Sequence, residues 1–155
     1  MKLYTILKTE LVKRDCTSSN KGELLEEMVH HLKLRDKVSN DKLIIKKLIE
    51  REKLGSTSIG NSSAVPHTKL KELKEPVIFI AISKKGIQYN ESDKKLVHFI
   101  ILILSPVDSP IVHLQILAAA ASLIKKSNKL IKELVSSETD EKVVDIIKKY
   151  EILDD

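Results

Sequence analysis

A chain of 155 residues is long enough for one domain with a real core and too short for two comfortable ones. Its 42% hydrophobic and 32% charged content describes a soluble globular protein, while 3% aromatic residues and no Trp argue against a base-stacking platform. The formal charge of +5 lies in residues 1–75, with 16 basic and 11 acidic side chains; these alternate at helical spacing, so a solvated face accounts for them and nucleic-acid binding is not expected.

In chain order, Leu3 to Lys13 is weakly patterned and predicts a short helical turn feeding an edge strand near Leu11 and Val12. The opening MKLYTILK has no long apolar run before Lys8, and Ser109 to Ile124 is interrupted by His113 and Gln115, so no leader and no membrane insertion are expected. Cys16 stands alone, which excludes an intrachain disulfide and a paired-Cys metal motif and fits a reducing, cytoplasmic setting. Ser18 to Lys21 reads as a helix start, with Leu24, Leu25, Met28 and Leu32 along one face. His30 and His31 on this helix point about 100° apart with no third ligand following, so they are expected to be surface side chains and no metal site is expected.

A second helix, DKLIIKKLIEREKL, is predicted with Ser39 as its cap and Gly55 as its terminator, burying Leu43 or Ile44, Leu48 and Leu54. Arg51 falls in its last turn, where it can reach the following loop or form a surface ion pair with Glu50 or Glu52. The segment REKLGSTSIGNSSAVPH then ends on a histidine whose backbone is stiffened by Pro66. An imidazole, a guanidinium and a run of small donors suit phosphoryl transfer, which depends mostly on positioning and charge neutralisation. His67 would be the nucleophile, Arg51 the fork on phosphate oxygens, and Thr57, Ser58 and the amides near Gly60 shorter contacts. The same residues also fit a plain turn capped by His67, and composition alone does not choose between the two. No nucleotide loop is implied, because Gly55 and Gly60 lack both known glycine spacings.

Val77 to Ser83 reads as a strand, Lys84-Lys85-Gly86 as a turn, and Leu96 to Leu104 as a central strand covered on both faces. His98 opens that strand and is expected to be structural. Ser109 and Pro110 predict a helix start with His113 in the first turn, at the end favourable to anions. That helix is expected to pack through Leu114, Leu117, Ala118, Ala121 and Ile124, with further helices near Lys129 to Leu134 and Asp140 to Tyr150. The expected architecture is α/β: a single domain, residues 1–155, with a mixed β-sheet and helices on both faces.

GSTSIGNSSAVPHTKL resembles the phosphorylation-site motif of the IIA proteins of the fructose/mannitol class in the bacterial phosphoenolpyruvate-dependent phosphotransferase system, most of all their nitrogen-regulatory branch. Gly86 to Pro106 and HLQILAAAASLIKK also resemble this family, so the likeness covers nearly the whole chain. The resemblance implies that His67 accepts a phosphoryl group at Nε2 from a phosphohistidine on an HPr-like carrier. It also implies that Arg51 holds the phosphate and that His113 is a second active-site histidine. No cofactor is implied. The sequence departs from the family at Ser63, usually aliphatic, and at Thr68, usually Gly or Ala. Three functions remain open here: a regulatory phosphoprotein, a sugar-uptake subunit passing phosphate to a separate IIB domain, and an interaction module that has lost phosphorylation.

Overall fold

The unbroken aliphatic run after Leu96 forms the centre of the molecule. In the computed structural model, which describes residues 1–153, it is strand β6, Val97–Pro106. β5, Val77–Ile87, pairs with it antiparallel on one side. Its other side holds two short parallel partners end to end: β3, Ser63–Ala64, against Phe99 and Ile100, and β4, His67–Leu70, against Ile103 to Pro106. The edges are β1, Val12–Lys13, parallel to β5, and β2, Ser58–Gly60, antiparallel to β3. The sheet is therefore mixed, as expected. Asp154 and Asp155 lie outside the described residues, so the expected domain is followed only to Leu153.

Strand side chains alternate between faces, and both faces of β5 and β6 are apolar. Phe79, Ala81, Ile100, Leu102 and Leu104 meet Leu24, Leu25, Met28, Ile44 and Leu48 from α1, Lys21–Leu34, and α2, Asp41–Lys53. Ile78, Ile80, Phe99, Ile101 and Ile103 meet the opposite layer, formed by α3, Pro110–Lys125, α4, Asn128–Val135, and α5, Asp140–Ile152. Two cores on opposite faces hold the sheet rigid, and the ends of β4 and β6 carry the site. The early segment matches expectation too: short 3-10 turns at Leu3–Thr5 and Thr9–Leu11 lead into β1.

Several local expectations are corrected. The second helix is capped by Asn40, whose side chain accepts the Leu43 N–H at 3.1 Å; the Ser39 hydroxyl instead donates to Glu72 at 2.6 Å. Leu54 is 85% exposed because it is the C-cap residue and points off the helix end. Of the two alternatives Leu43 and Ile44, it is Ile44 that is buried, as one of the two expectations had it, while Leu43 is exposed. His31 is not a surface side chain: it is partly buried with its ring 5.0 Å from Phe79, edge-on. Lys84 to Gly86 do not make a turn between elements but a bulge within β5, where the pairing register shifts between Ile82 and Ile87. Gly86 makes this possible, with φ of 89° and its N–H donated to Ser83 Oγ at 3.0 Å. In α3 the buried face is His113, Ile116, Ala120, Leu123 and Ile124, whereas Leu114 is 65% exposed.

Candidate active site

His67 begins β4, and the pairing of that strand with β6 fixes its backbone: the Ile103 N–H donates to the Pro66 carbonyl at 3.0 Å. The ring is partly buried and held at both nitrogens. Nδ1 lies 2.8 Å from the Val65 carbonyl, and Arg51 Nε donates to Nε2 at 3.2 Å. A carbonyl can only accept and a guanidinium can only donate, so both contacts require the same neutral tautomer, protonated at Nδ1 with the lone pair on Nε2. Arg51 reaches across from the last turn of α2, and its Nη1 donates to the Gly55 carbonyl at 2.8 Å. Its guanidinium thus turns toward the histidine and the loop rather than toward Glu50 or Glu52.

His113 comes from the other layer. It is 5% exposed, in the first turn of α3, with Nδ1 2.6 Å from Ser105 Oγ at the end of β6. The His67 and His113 rings are 5.5 Å apart at their centroids and tilted by 54°. Burial depresses the basicity of both. For His67 it is the leading influence, reinforced by the Arg51 charge and opposed by the Val65 carbonyl and Glu52. For His113 burial, aided by His67 and Lys69, brings the pKa down to about 4. Both imidazoles are therefore neutral near neutral pH, which leaves His67 Nε2 a nucleophilic lone pair.

A cleft of about 220 Å³ opens beside His67, lined by Arg51, Thr57, Ile59, Val65, Leu117 and Ala121. A larger hollow of about 850 Å³ over Lys21 and Asn90 contains no histidine or cysteine, so the nucleophile favours the smaller one. Thr57 corrects an expectation. It is buried, its N–H donates to Glu52 Oε1 at 3.1 Å, and its hydroxyl is engaged with Glu52 and Tyr89. As placed it links the loop to α2 and offers no free donor to a phosphate. The departures at Ser63 and Thr68 are accommodated: the Ser63 hydroxyl donates to the Asn61 carbonyl at 2.9 Å, and Thr68 sits in the β4 ladder opposite Leu104.

Tyr89 and Ser105 were not singled out by the sequence, and Glu52 was considered only as a surface ion-pair partner of Arg51. Glu52 carried a signal, since it lies four residues after Leu48 and eight after Ile44 on the buried stripe of α2. A carboxylate on that stripe must find donors. Tyr89 and Ser105 carried none, because they reach the site only through the sheet. Among the described residues no group of three or more His, Cys, Asp or Glu could hold a metal ion, and no helix is long and apolar enough to cross a membrane.

The sequence model of the phosphoenolpyruvate-dependent sugar phosphotransferase system family EIIA 2 matches residues 5–150. The chain belongs to this family. The fructose-specific EIIABC component of Bacillus subtilis (strain 168) is 27% identical over 151 residues, which are 97% of this chain and 24% of that protein. This chain thus spans about a quarter of that relative's length. The nitrogen regulatory protein IIA-Ntr from Neisseria meningitidis superposes with a TM-score of 0.81 at 25% identity, over 94% of this chain and 98% of that one. The IIA mannitol enzyme of Escherichia coli, solved in complex with its phosphorylated IIB partner, shares the fold with a TM-score of 0.74 at 18% identity, over 92% and 97%. The EIIA 2 likeness therefore extends to both nitrogen-regulatory and sugar-specific relatives.

Proposed function

We propose that this EIIA 2 protein carries a phosphoryl group on His67 Nε2, received from a phosphohistidine on an HPr-like carrier protein. The observation that supports this most directly is the double constraint on His67, protonated at Nδ1 against Val65 and open at Nε2 toward Arg51. In the transfer, the Nε2 lone pair forms the new P–N bond while the donor imidazole leaves with the electron pair of the old one. No proton has to move, because Nδ1–H stays on the Val65 carbonyl and helps disperse the positive charge that develops on the ring. Arg51 has only to slide from Nε2 onto the phosphoryl oxygens, where its planar fork fits. His113, neutral in the resting state, is near enough to bind those oxygens as charge builds up.

A protein donor, rather than a small phosphate ester, fits the rim of the cleft. Ile111 and Leu114 are 71% and 65% exposed on the outward face of α3, and Leu117 and Ala121 continue that face down to the cleft. The domain acts in the cytoplasm in this reading, and passes its phosphoryl group to a IIB domain or uses it to alter binding to a regulatory target. The assay is incubation with phosphoenolpyruvate and the two upstream carrier proteins. Wild type is expected to take up an acid-labile phosphoryl group and His67→Ala none. Labelling of His67→Ala at the wild-type rate overturns the assignment, and an unlabelled wild type with a demonstrably active donor returns the chain to the role of an interaction module.

A further inference from the structure

The last turn of α2 places Glu52 directly after Arg51, turned about 100° around the helix from it and into the interior. It is 7% exposed. Its carboxylate is surrounded by donors from three elements: the Thr57 N–H and hydroxyl from the loop after α2, the Tyr89 hydroxyl at 3.1 Å from beyond β5, and Lys21 Nζ at 3.7 Å from α1. Thr57 and Tyr89 also touch each other, with their oxygens 2.7 Å apart. A side chain this enclosed cannot move without disturbing the loop it holds, because each displaced donor would be left unsatisfied.

That loop leads to the nucleophile by two routes. Glu52 holds Thr57; the Thr57 carbonyl accepts the Val65 N–H at 3.0 Å; the Val65 carbonyl accepts His67 Nδ1–H at 2.8 Å. By the other route, the Gly55 carbonyl, two residues before Thr57, accepts Arg51 Nη1 at 2.8 Å and so aims Nε at His67 Nε2. The tautomer of a histidine is set by the partner of its other nitrogen. If the Val65 carbonyl turns aside, the proton is free to occupy Nε2, the atom that has to attack.

We propose that Glu52 is a positioning residue for phosphoryl transfer: through Thr57 and the Val65 carbonyl it holds His67 in the Nδ1–H form with Nε2 open, and through the same loop it aims Arg51. The proposal rests on the phosphoryl-carrier reading of His67 for its consequence, but not for its geometry. Glu52 touches no reacting atom. It acts on the rate by fixing the two side chains that do, and misplacement on the scale of an ångström costs such a step about a hundredfold.

The test uses the full chain with Glu52→Gln, Thr57→Val and the conservative Thr57→Ser. Two-dimensional ¹⁵N–¹H NMR of the unphosphorylated proteins reads the His67 tautomer, and phosphoryl uptake and donor binding are measured separately. In wild type and Thr57→Ser the Nδ1–H form is expected to predominate. In Glu52→Gln and Thr57→Val the Nε2–H form is expected to grow and uptake to slow by roughly ten- to a hundredfold, with donor affinity unchanged. A residue that only stabilised the fold would lower Tm and leave the tautomer as it was. Folded Glu52→Gln and Thr57→Val proteins with the wild-type tautomer and rate overturn the proposal. If wild type itself takes up no phosphoryl group, the carrier reading fails alone, and the tautomer comparison still decides whether Glu52 sets the His67 ring.

Discussion

A phosphoryl group on His67 would add negative charge close to His113, a buried histidine that is neutral in the unphosphorylated protein. In the unphosphorylated protein burial holds the His113 pKa down to about 4. The two rings are 5.5 Å apart. At that separation a unit negative charge on His67 favours protonated His113 by about 3 kcal/mol at an effective dielectric constant of about 20. This equals about 2 pH units, which lifts the His113 pKa to about 6. Phosphorylation is thus predicted to raise the His113 pKa by about 2 pH units, so that the ring becomes a cation, the form that holds phosphoryl oxygens best, across a range in which it is neutral without the phosphoryl group. The assay is an NMR titration of the His113 Cε1–H resonance in both states, run downward from alkaline pH because the N–P bond is acid-labile. Identical titrations would refute both the electrostatic coupling of the two histidines and the supporting role of His113. The unphosphorylated protein supplies a second reading of the same group. Between about 4 and 6.5 the unfolded chain binds a proton at this histidine that the native protein does not. Stability therefore rises with pH across that window and is lost as pH falls toward about 4.

Arg51→Ala is expected to slow phosphoryl uptake by roughly a hundred- to a thousandfold, the effect of removing one donor from a developing oxyanion, with the fold intact. Arg51→Lys should recover little, since a point charge cannot reproduce both the fork on phosphate and the bond to Gly55, and full activity in either variant would return Arg51 to the surface. Gly86→Ala places a Cβ 2.7 Å from Leu96 Cβ at a φ of 89°, so a loss of about 2 kcal/mol, or roughly 4–8 °C in Tm, is expected in a thermal melt; an unchanged Tm would remove the bulge from the elements that need glycine.

The fold was legible where one periodicity had one explanation. The run from Leu96 to Leu104 has apolar residues at both odd and even positions, which only a strand covered on both faces can bury, so the two helical layers followed from it. Gly86 was misread because a glycine after two lysines signals a turn equally well inside a strand and between strands. The site was legible as chemistry and illegible as geometry. Arg51 and His67 lie 16 residues apart, and the place of Arg51 in the last turn of its helix, able to reach the segment that follows, could be read from the sequence. His113 meets His67 only because β4 and the end of β6 pair side by side, and the register of that pairing is a tertiary fact. Thr57 was assigned to the phosphate because a hydroxyl near an imidazole looks available, but nothing local revealed that Glu52 and Tyr89 already hold it.

The rotation of α3 and the identity of its exposed face have one cause. The helix carries two apolar stripes at helical spacing, one through Ile116, Ala120, Leu123 and Ile124 and one through Ile111, Leu114, Leu117 and Ala121. Periodicity cannot choose between them, since each satisfies the same three- and four-residue steps. The choice is made at the helix entrance, where the end of β6 brings Ser105 to His113 and turns that histidine inward; the 3.6-residue repeat then sends Ile116 and Ala120 to the sheet and Leu114 to the outside. The geometry that buries His113 beside His67 therefore also leaves Ile111 and Leu114 exposed on the outward face of α3, with half-buried Leu117 and Ala121 at the cleft. Apolar area left in water costs about 25 cal/mol for each Å², so a helix that keeps Ile111 and Leu114 exposed is more stable once something apolar covers them. Under the proposed function, a carrier protein docking to deliver a phosphoryl group is what would cover Ile111 and Leu114.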